Sequence, residues 1–409
     1  MLSPYRPPQG AELSHAGDSA LNWYTRRLAF ALRDKGVDVR VVAPRHADEA
    51  PWLDSGIRIL PTYRRGSPFA ASEIARALPA AGAPLVHIQH ELFAYGGLAS
   101  AFLLPAAMRA TRCRGIRVMT TLHGVLPLHK LDREFMRANG IGGPLSLARN
   151  VWRSLLRRIA THSDLVHVHE SAHRRWLEEE YGLRGSRIAV IPLGVDGVGS
   201  QDPAAARSAL SIPANAEVAL FFGYLAGYKG IHQFLDDIPA LLDKRPAVHI
   251  VIAGAVPRRL AHGSTLSARL KNLESHDRVH VLGFVPEGRV ATVFSAADVA
   301  VLPYTLAISA SGPMSLAISH RIPVLLSDAF AESYPDAPGM YQVSHGRIAA
   351  AIDRFFEDAL LRTRSRDYLA GLAKSKTWPL VASAFASLYS GALKAHTAEQ
   401  QRVQGDEYV

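Results

Sequence analysis

The sequence predicts an α/β protein in two halves, each a parallel sheet covered by helices. Three observations carry this reading. The chain has 409 residues, more than a single core usually holds. Strand-sized runs rich in Val and Ile alternate with amphipathic helical patterns, as a parallel sheet covered on both faces requires. The alternation pauses once, at "GVDGVGSQDPAAARSALSIPANAE" (194–217), and then restarts. Domains over 1–195 and 196–376 follow, joined by a linker.

Composition narrows the class. With 48% hydrophobic and 20% charged residues the chain reads as soluble and globular. Its formal net charge of +10 favours acidic partners, whether nucleotides, nucleic acid or an anionic membrane surface. The single cysteine, Cys113, excludes an intrachain disulfide and a cysteine-based metal site, and it fits a reducing cytoplasm. The start, "MLSPYRPPQGAEL", lacks the basic-then-apolar order of a signal peptide, and no uncharged stretch reaches membrane-spanning length.

In the first half, "VDVRVVAP" (37–44), "PLVHIQHE" (84–91), "IRVMTTLHG" (116–124), "DLVHVHE" (164–170) and "RIAVIPLG" (187–194) read as strands. Before them, residues 20–36 read as a helix with Leu21, Tyr24, Leu28, Phe30 and Leu32 on its apolar stripe and a stop at Lys35-Gly36. "SPYRPPQG" has the look of a loop after a first strand, yet almost nothing precedes it. A sheet lacking that strand would leave backbone groups unpaired at its centre, so a start several residues upstream is expected. Residues 148–160 form a basic amphipathic helix, with Val151, Leu155 and Ile159 on one face, Trp152 and Leu156 beside them, and Arg149, Arg153 and Arg157 opposite. A core-facing surface helix has this pattern; docking on an anionic membrane is the alternative. The second half supplies strands at 218–224, 247–254, 278–284, 298–304 and 322–328.

In open parallel sheets ligands gather at the carboxyl ends of strands. Histidines collect there in the first half: His87, His90 and Glu91, followed by the flexible Gly96-Gly97; His123 before Gly124; and His167, His169 and Glu170. His167 and His169 share one face without an obvious third ligand, so a metal site is poorly supported. A neutral histidine beside a substrate hydroxyl is a suitable hydrogen-bond partner or proton acceptor, which makes His123 the catalytic candidate and His90, Glu91 and Gly96 its neighbours.

The second half opens with "FFGYLAGYKGIHQFL" (221–235), where Lys229 stands between Gly227 and Gly230. Glycines let the backbone come close to an anion, and the ammonium offers it three donors. The remaining loops follow the strands at "IAGAVPRR", "LGFVP" and "LPYTLAISASGPMSLAI". In the last, Ser309, Ser311 and Gly312 run into a helix beginning near Pro313, and such a helix N-terminus suits a diphosphate. Two independent anion-binding elements thus converge. There is no Gly-x-Gly-x-x-Gly after a strand and no Walker lysine loop, which disfavours dinucleotide and P-loop enzymes.

These residues resemble the GT-B glycosyltransferases, in particular the large retaining family that uses sugar nucleotides. "GYLAGYKGIHQFLDDIPALL" resembles its donor loop, "RIAVIPLGVD" its interdomain hinge, and "VHVLGFVPEGRVATVFSAADVAVLPY" the elements enclosing the nucleotide base. "SASGPMSLAISHRIPVLLSD" stands where its diphosphate helix does, and "WPLVASAFASLY" (378–389) resembles its C-terminal helix. The resemblance implies two Rossmann-like domains facing a central cleft, a helix over 377–395 crossing back to the first domain, and a polar tail over 396–409. It implies that Lys229 binds the donor diphosphate, that the Ser311-Gly312 backbone holds the distal phosphate, and that Gly254 and Gly283 line the nucleotide pocket. Gly223, Gly230, Tyr304 and Glu332 complete the donor side, His123 lines the acceptor side of the reacting carbon, and His90, Glu91 and Gly96 stand on that acceptor side with it.

The implied activity is hexosyl transfer from a nucleotide-sugar to a saccharide, glycolipid or small-molecule acceptor. It would need neither cofactor nor metal, have no nucleic-acid partner, and take place in the cytoplasm or at the inner membrane surface, as in polysaccharide biosynthesis. The chain departs from the family pattern in two places. Tyr224 stands where an arginine is usual, and Ile308 and Leu316 stand where two glutamates are usual. Replacement of those carboxylates falls to Ser309, Ser311, Ser315 and Glu332. A non-catalytic module that binds a sugar nucleotide or a partner protein is the rival reading, and a nucleotide-sugar epimerase a weaker one.

Overall fold

The computed structural model describes residues 1–6, 16–45, 49–92, 94–138, 142–197, 201–256, 265–342 and 346–406. The loop ends at 7–10 and 257–258, named above after a first and a later strand, lie outside them. The chain forms two compact units: Met1–Leu193 with Ile308–Ala310 and Trp378–Val409, and Gly194–Ala307 with Ser311–Thr377.

Unit 1 is built on β1 (Arg40–Pro44), β2 (Trp52–Asp54), β3 (Ile57–Tyr63), β4 (Leu85–His90), β5 (Arg117–Leu122), β6 (Leu165–Val168) and β7 (Ile188–Val190). The ladder β4-β5-β6-β7 is parallel throughout, and β3 runs parallel to β1 and antiparallel to β2. The sequence reading missed β2 and β3. One is only three residues long, and the other carries Pro61, which argues against a strand when read alone.

The gap expected at the centre of this sheet is filled by the chain's own first residues. Leu2 bridges Val42 of β1 and Ile88 of β4. Leu2 N donates to His87 O at 2.9 Å, and Leu2 O accepts from Gln89 N at 3.0 Å. On the other side Val42 N donates to Met1 O at 2.8 Å. Met1 and Leu2 therefore satisfy backbone groups of both neighbouring strands.

The helix α1 (Ala16–Arg33) buries Leu21, Tyr24, Leu28 and Leu32 as its spacing predicts. Phe30 departs from that stripe and lies under the Arg26 and Arg33 guanidinium groups, 5.1 and 5.2 Å from its ring centre. After α2 (Ala70–Ala80), α3 (Leu98–Arg112) and α4 (Arg133–Ala138) comes α5 (Leu145–Thr161), the basic amphipathic helix. Its Leu155, Leu156 and Ile159 are buried in the core of unit 1. Arg149, Arg153 and Arg157 donate to the carbonyls of Leu131, Glu180 and Tyr181 at 2.9, 3.2 and 2.6 Å. Of the apolar face expected for membrane docking, Leu155 and Ile159 are thus packed on the core, while Val151 is exposed.

The helix α6 (Ser171–Glu179) completes this stretch. In unit 2, the stretch read as a linker is not free chain. It holds α7 (Pro203–Ser208), capped by Asp202, whose side chain accepts from Ala204 N and Ala205 N. Arg207 reaches Ala296 O at 3.0 Å and Asp298 at 2.9 Å, and Asp298 also takes Val218 N. The sheet runs β10 (Val279–Gly283), β9 (Val248–Ala253), β8 (Glu217–Phe222), β11 (Val299–Leu302), β12 (Val324–Leu326), all parallel. Its helices are α8 (Ile231–Lys244), α9 (Thr265–Leu273), α10 (Glu287–Ala296), α11 (Gly312–His320), α12 (Arg347–Glu357) and α13 (Ala359–Ser375). Four of these strands are buried along most of their length and read as continuous apolar runs, whereas β10 at the sheet edge is only partly buried and was visible from its Val-rich run alone.

The last helix, α14 (Trp378–Asp406), returns to unit 1 and packs Trp378, Val381, Phe385 and Tyr389 with Tyr24, Leu28 and Met119. The stretch expected as a polar tail, 396–409, instead continues this helix as far as Asp406.

Candidate functional site

In unit 2 the strands β8, β9 and β10 each end at a glycine with positive φ: Gly223 at 115°, Gly254 at 153° and Gly283 at 62°. Gly223 N donates to Ala253 O at 2.8 Å, and Gly254 N to Gly283 O at 2.7 Å. A Cβ on Gly254 would lie 1.8 Å from Gly223 O, so only glycine fits. The result is a terrace of bare backbone across three strand ends.

Above β8 a short 3₁₀ turn, Gly227–Lys229, leads through Gly230 into α8. Gly230 approaches Pro303 so closely that a Cβ would sit 1.7 Å from the Pro303 carbonyl oxygen. That turn aims Lys229 inward, to 7% exposure. Its Nζ lies 5.4 Å from the Tyr304 ring centre and has no carboxylate partner among the described residues. Burial pushes this ammonium below the ordinary lysine range. An unpaired buried cation is costly, and an anion would relieve that cost.

Across from it, Ser311 caps α11. Its Oγ accepts from Met314 N at 3.2 Å and lies 3.1 Å from the Tyr304 hydroxyl. A Cβ placed on Gly223 would meet both Lys229 Nζ and the Pro313 ring at 3.0 Å. Gly223 is thus the point where the lysine turn and the start of α11 meet, and nothing lies within 4 Å of a Cβ placed on Gly312. The structure brings together Gly223, Lys229, Gly230, Tyr304, Ser311 and Gly312, with Gly254 and Gly283 on the adjoining strand ends.

The proposed substitutes for the glutamates fare unevenly. Ser315 Oγ donates to Gly194 O at 3.0 Å and is committed there. Ser309 pairs with Gly124, and Ile308 O accepts Val125 N at 2.8 Å, both within unit 1. Leu316 packs against the unit 2 core, and Glu332 lies in the exposed turn after Asp328–Phe330.

In unit 1, His123 follows β5, half-buried. Its Nε2 lies 2.9 Å from Gln89 Oε1, its Nδ1 lies 3.3 Å from His169 Nε2, and Tyr24 meets its ring edge-on at 4.7 Å. Burial, with His169 and His90 nearby, holds its pKa well below the usual histidine value. His90, at the end of β4, is 3% exposed with neither ring nitrogen hydrogen-bonded among the described residues. Burial lowers its pKa to about 4. Glu91 is exposed at the following turn. Gly96 has a structural cause, since a Cβ there would lie 2.6 Å from Gly66 N at φ +132°.

Sequence reasoning passed over Gln89, Thr121 and Tyr389. Gln89, a buried amide between two histidines in "HIQH", carried a visible signal. Tyr389 meets His87 across about 300 residues and carried none.

A family model described as Glycosyltransferase Family 4 matches residues 21–197, and one described as Glycosyl transferases group 1 matches residues 216–358. The chain belongs to the GT-B glycosyltransferases. Among curated relatives of this GT-B chain, a D-inositol 3-phosphate glycosyltransferase of Kineococcus radiotolerans is 26% identical over 259 residues, covering 58% of the chain and 59% of the relative. The chain spans about half the length of the curated relatives it matches. Among solved structures, the GT-B fold is shared with sucrose-phosphate synthase from Thermosynechococcus elongatus, at TM-score 0.73, 18% identity and coverage of 96% and 99% of the two chains. HepE of Anabaena in complex with UDP-glucose gives TM-score 0.68 at 16% identity, covering 95% and 99%.

Proposed function

We propose that this chain is a hexosyltransferase moving a sugar from a nucleotide-sugar donor to a saccharide, glycolipid or small-molecule acceptor. One observation carries the proposal: the buried Lys229, without a carboxylate partner among the described residues, meets the N-terminus of α11 at Gly223. Departure of the sugar leaves negative charge on the nucleoside diphosphate. A preorganised ammonium and the free N–H groups of a helix start stabilise such charge most when it is fully developed. Together they supply the compensation that a divalent metal gives elsewhere, so the proposed reaction runs without one. At the end of β10, where nothing lies within 4 Å of a Cβ placed on Gly283, the strand ends leave room for the nucleotide.

Retention of anomeric configuration is part of the proposal and rests on the family resemblance. The curated relatives named D-inositol 3-phosphate glycosyltransferase favour a small acceptor within the stated range. A cytoplasmic location rests on the lone cysteine. No helix among the described residues is long and apolar enough to cross a membrane. Contact with an anionic membrane surface, for a glycolipid acceptor, rests on the net charge of +10 alone.

Ile308 and Leu316 favour the rival reading of a non-catalytic module, because alkyl chains accept no hydrogen bond from a sugar or ribose hydroxyl. Incubation with a panel of UDP- and GDP-sugars, scored for nucleotide release and slow hydrolysis, separates the two. Release with at least one sugar is expected. Tight nucleotide binding without any turnover would establish the module instead.

A further inference from the structure

Around His123 the polar side chains at the ends of β4, β5 and β6 close into a ring of hydrogen bonds. Ile191 O lies 2.9 Å from His167 Nε2 and 3.3 Å from His169 Nδ1. His167 Nδ1 lies 2.9 Å from Thr121 Oγ1, which lies 2.6 Å from His87 Nε2. His87 Nδ1 in turn lies 2.6 Å from the Tyr389 hydroxyl of α14. On the other arm His169 Nε2 meets His123 Nδ1 at 3.3 Å, His123 Nε2 meets Gln89 at 2.9 Å, and the second Gln89 amide atom lies 3.3 Å from His87 Nε2.

A carbonyl oxygen only accepts, and this fixes the direction of every bond. His167 Nε2 and His169 Nδ1 must each carry a hydrogen toward Ile191 O. The His167 Nδ1 lone pair then takes the Thr121 hydroxyl hydrogen, Thr121 Oγ1 takes the His87 Nε2 hydrogen, and His87 Nδ1 takes the Tyr389 hydrogen. Along the other arm the bare His169 Nε2 takes a hydrogen from His123 Nδ1. That leaves a lone pair on His123 Nε2, which only the NH₂ end of Gln89 can satisfy. The Gln89 carbonyl then shares the His87 Nε2 hydrogen with Thr121 Oγ1 in a three-centre bond whose longer arm is the 3.3 Å contact. Oxygen and nitrogen of an amide are told apart by such networks, and this one requires NH₂ toward His123, the reverse of the orientation given above. No other assignment with neutral rings gives every contact both a hydrogen and an acceptor, the His87 Nε2 hydrogen being shared by two of them.

We propose that Gln89, Thr121, His167 and His169 are positioning residues that hold His123 as the neutral tautomer protonated on Nδ1, with the Ile191 carbonyl setting the direction of the ring and Tyr389 of α14 donating to His87 at its side. His123 thereby presents a fixed imidazole whose nitrogens are both engaged, and it does not act as a free general base. The groups facing this ring are Tyr24 from α1, His90 from β4, His173 from α6, Tyr389 from α14 and the Met1 amine beside His87. The importance of this tautomer for turnover rests on the transferase reading above; the tautomer itself does not.

Long-range nitrogen–proton correlation spectra of the full chain, labelled at the histidine ring nitrogens, read each tautomer without substrate. Expected are hydrogens on His123 Nδ1, His169 Nδ1, His167 Nε2 and His87 Nε2, with no titration of these rings between about pH 5.5 and 8. Gln89→Glu replaces the NH₂ donor with an acceptor and should move a hydrogen onto His123 Nε2. Thr121→Ser should leave the pattern intact and Thr121→Val should break it at His87 and His167. Wild-type His123 protonated on Nε2, or titrating near an ordinary histidine midpoint, would overturn the inference. So would a Gln89→Glu variant with unchanged His123 signals and a native melting profile. Turnover of a sugar nucleotide lost in Gln89→Glu together with the altered tautomer supports the positioning role. An altered tautomer with wild-type turnover would confine the ring to stability and overturn that role.

Discussion

Lys229 is the residue on which the donor site turns. Lys229→Ala should lower turnover by about a hundred- to a thousand-fold, the usual cost of removing one preorganised donor to a developing charge. The side chain is a buried cation in the turn after β8, so its removal should hold or raise the melting temperature; steady-state kinetics with the active sugar nucleotide checks both affinity and rate. This lysine was legible because glycines on either side are a local signal. Gly96 was not, since its cause is the non-local backbone of Gly66. His90 gives a second test. Its folded pKa of about 4 lies below the ordinary histidine value, so the unfolded chain takes up a proton first as pH falls. The stability held above roughly pH 6.5 is lost progressively toward about pH 4, by roughly 3 kcal/mol for this one group. Urea midpoints at about pH 7 and about pH 5 should therefore differ less in His90→Phe than in the wild type. An unchanged difference would mean that His90 finds a polar partner when folded.

Among the elements, α11 depends on a single cap. Ser311→Ala removes the acceptor for Met314 N and the partner of the Tyr304 hydroxyl, and should cost about 1 kcal/mol. Nucleotide affinity should fall with it, because the first turn of α11 loses its fixed geometry. Calorimetry of nucleoside diphosphate binding, beside a denaturant titration, separates the two losses. The inner strands of unit 2 were legible because buried parallel strands are unbroken apolar runs, and the partly buried edge strand β10 by its valines. The helix α7 was hidden by the Gly, Pro and Ser around it, and its anchor, the Arg207–Asp298 pair, joins residues 91 apart. For α5 the sequence left the basic face open to a membrane. The structure instead turns its arginines onto neighbouring carbonyls, a use of guanidinium donors that periodicity does not reveal.

At the scale of the whole molecule, unit 1 is assembled from three separate stretches of chain, and α14 is the last of them. Truncation after Thr377 should uncover Tyr24, Leu28 and Met119 and strip His87 of its Tyr389 partner. Limited proteolysis followed by mass spectrometry should then show unit 1 digested first while 194–377 survives; equal survival would mean that α14 adds little. The two-unit plan was legible from one pause in an alternating pattern. The ring around His123 was not, because it is closed by residues from four separate segments. The same discontinuity bears on synthesis. A ribosome adding about 5–20 residues per second needs roughly 10–40 s to pass from Leu193 to Trp378. During that interval the nascent first unit has its strands and α1 but not the helix that seals them, while the second unit emerges complete. The later part of the polypeptide is thus ready to fold before the earlier part, and the uncovered apolar face around Tyr24 and Met119 is where a chaperone would find this chain.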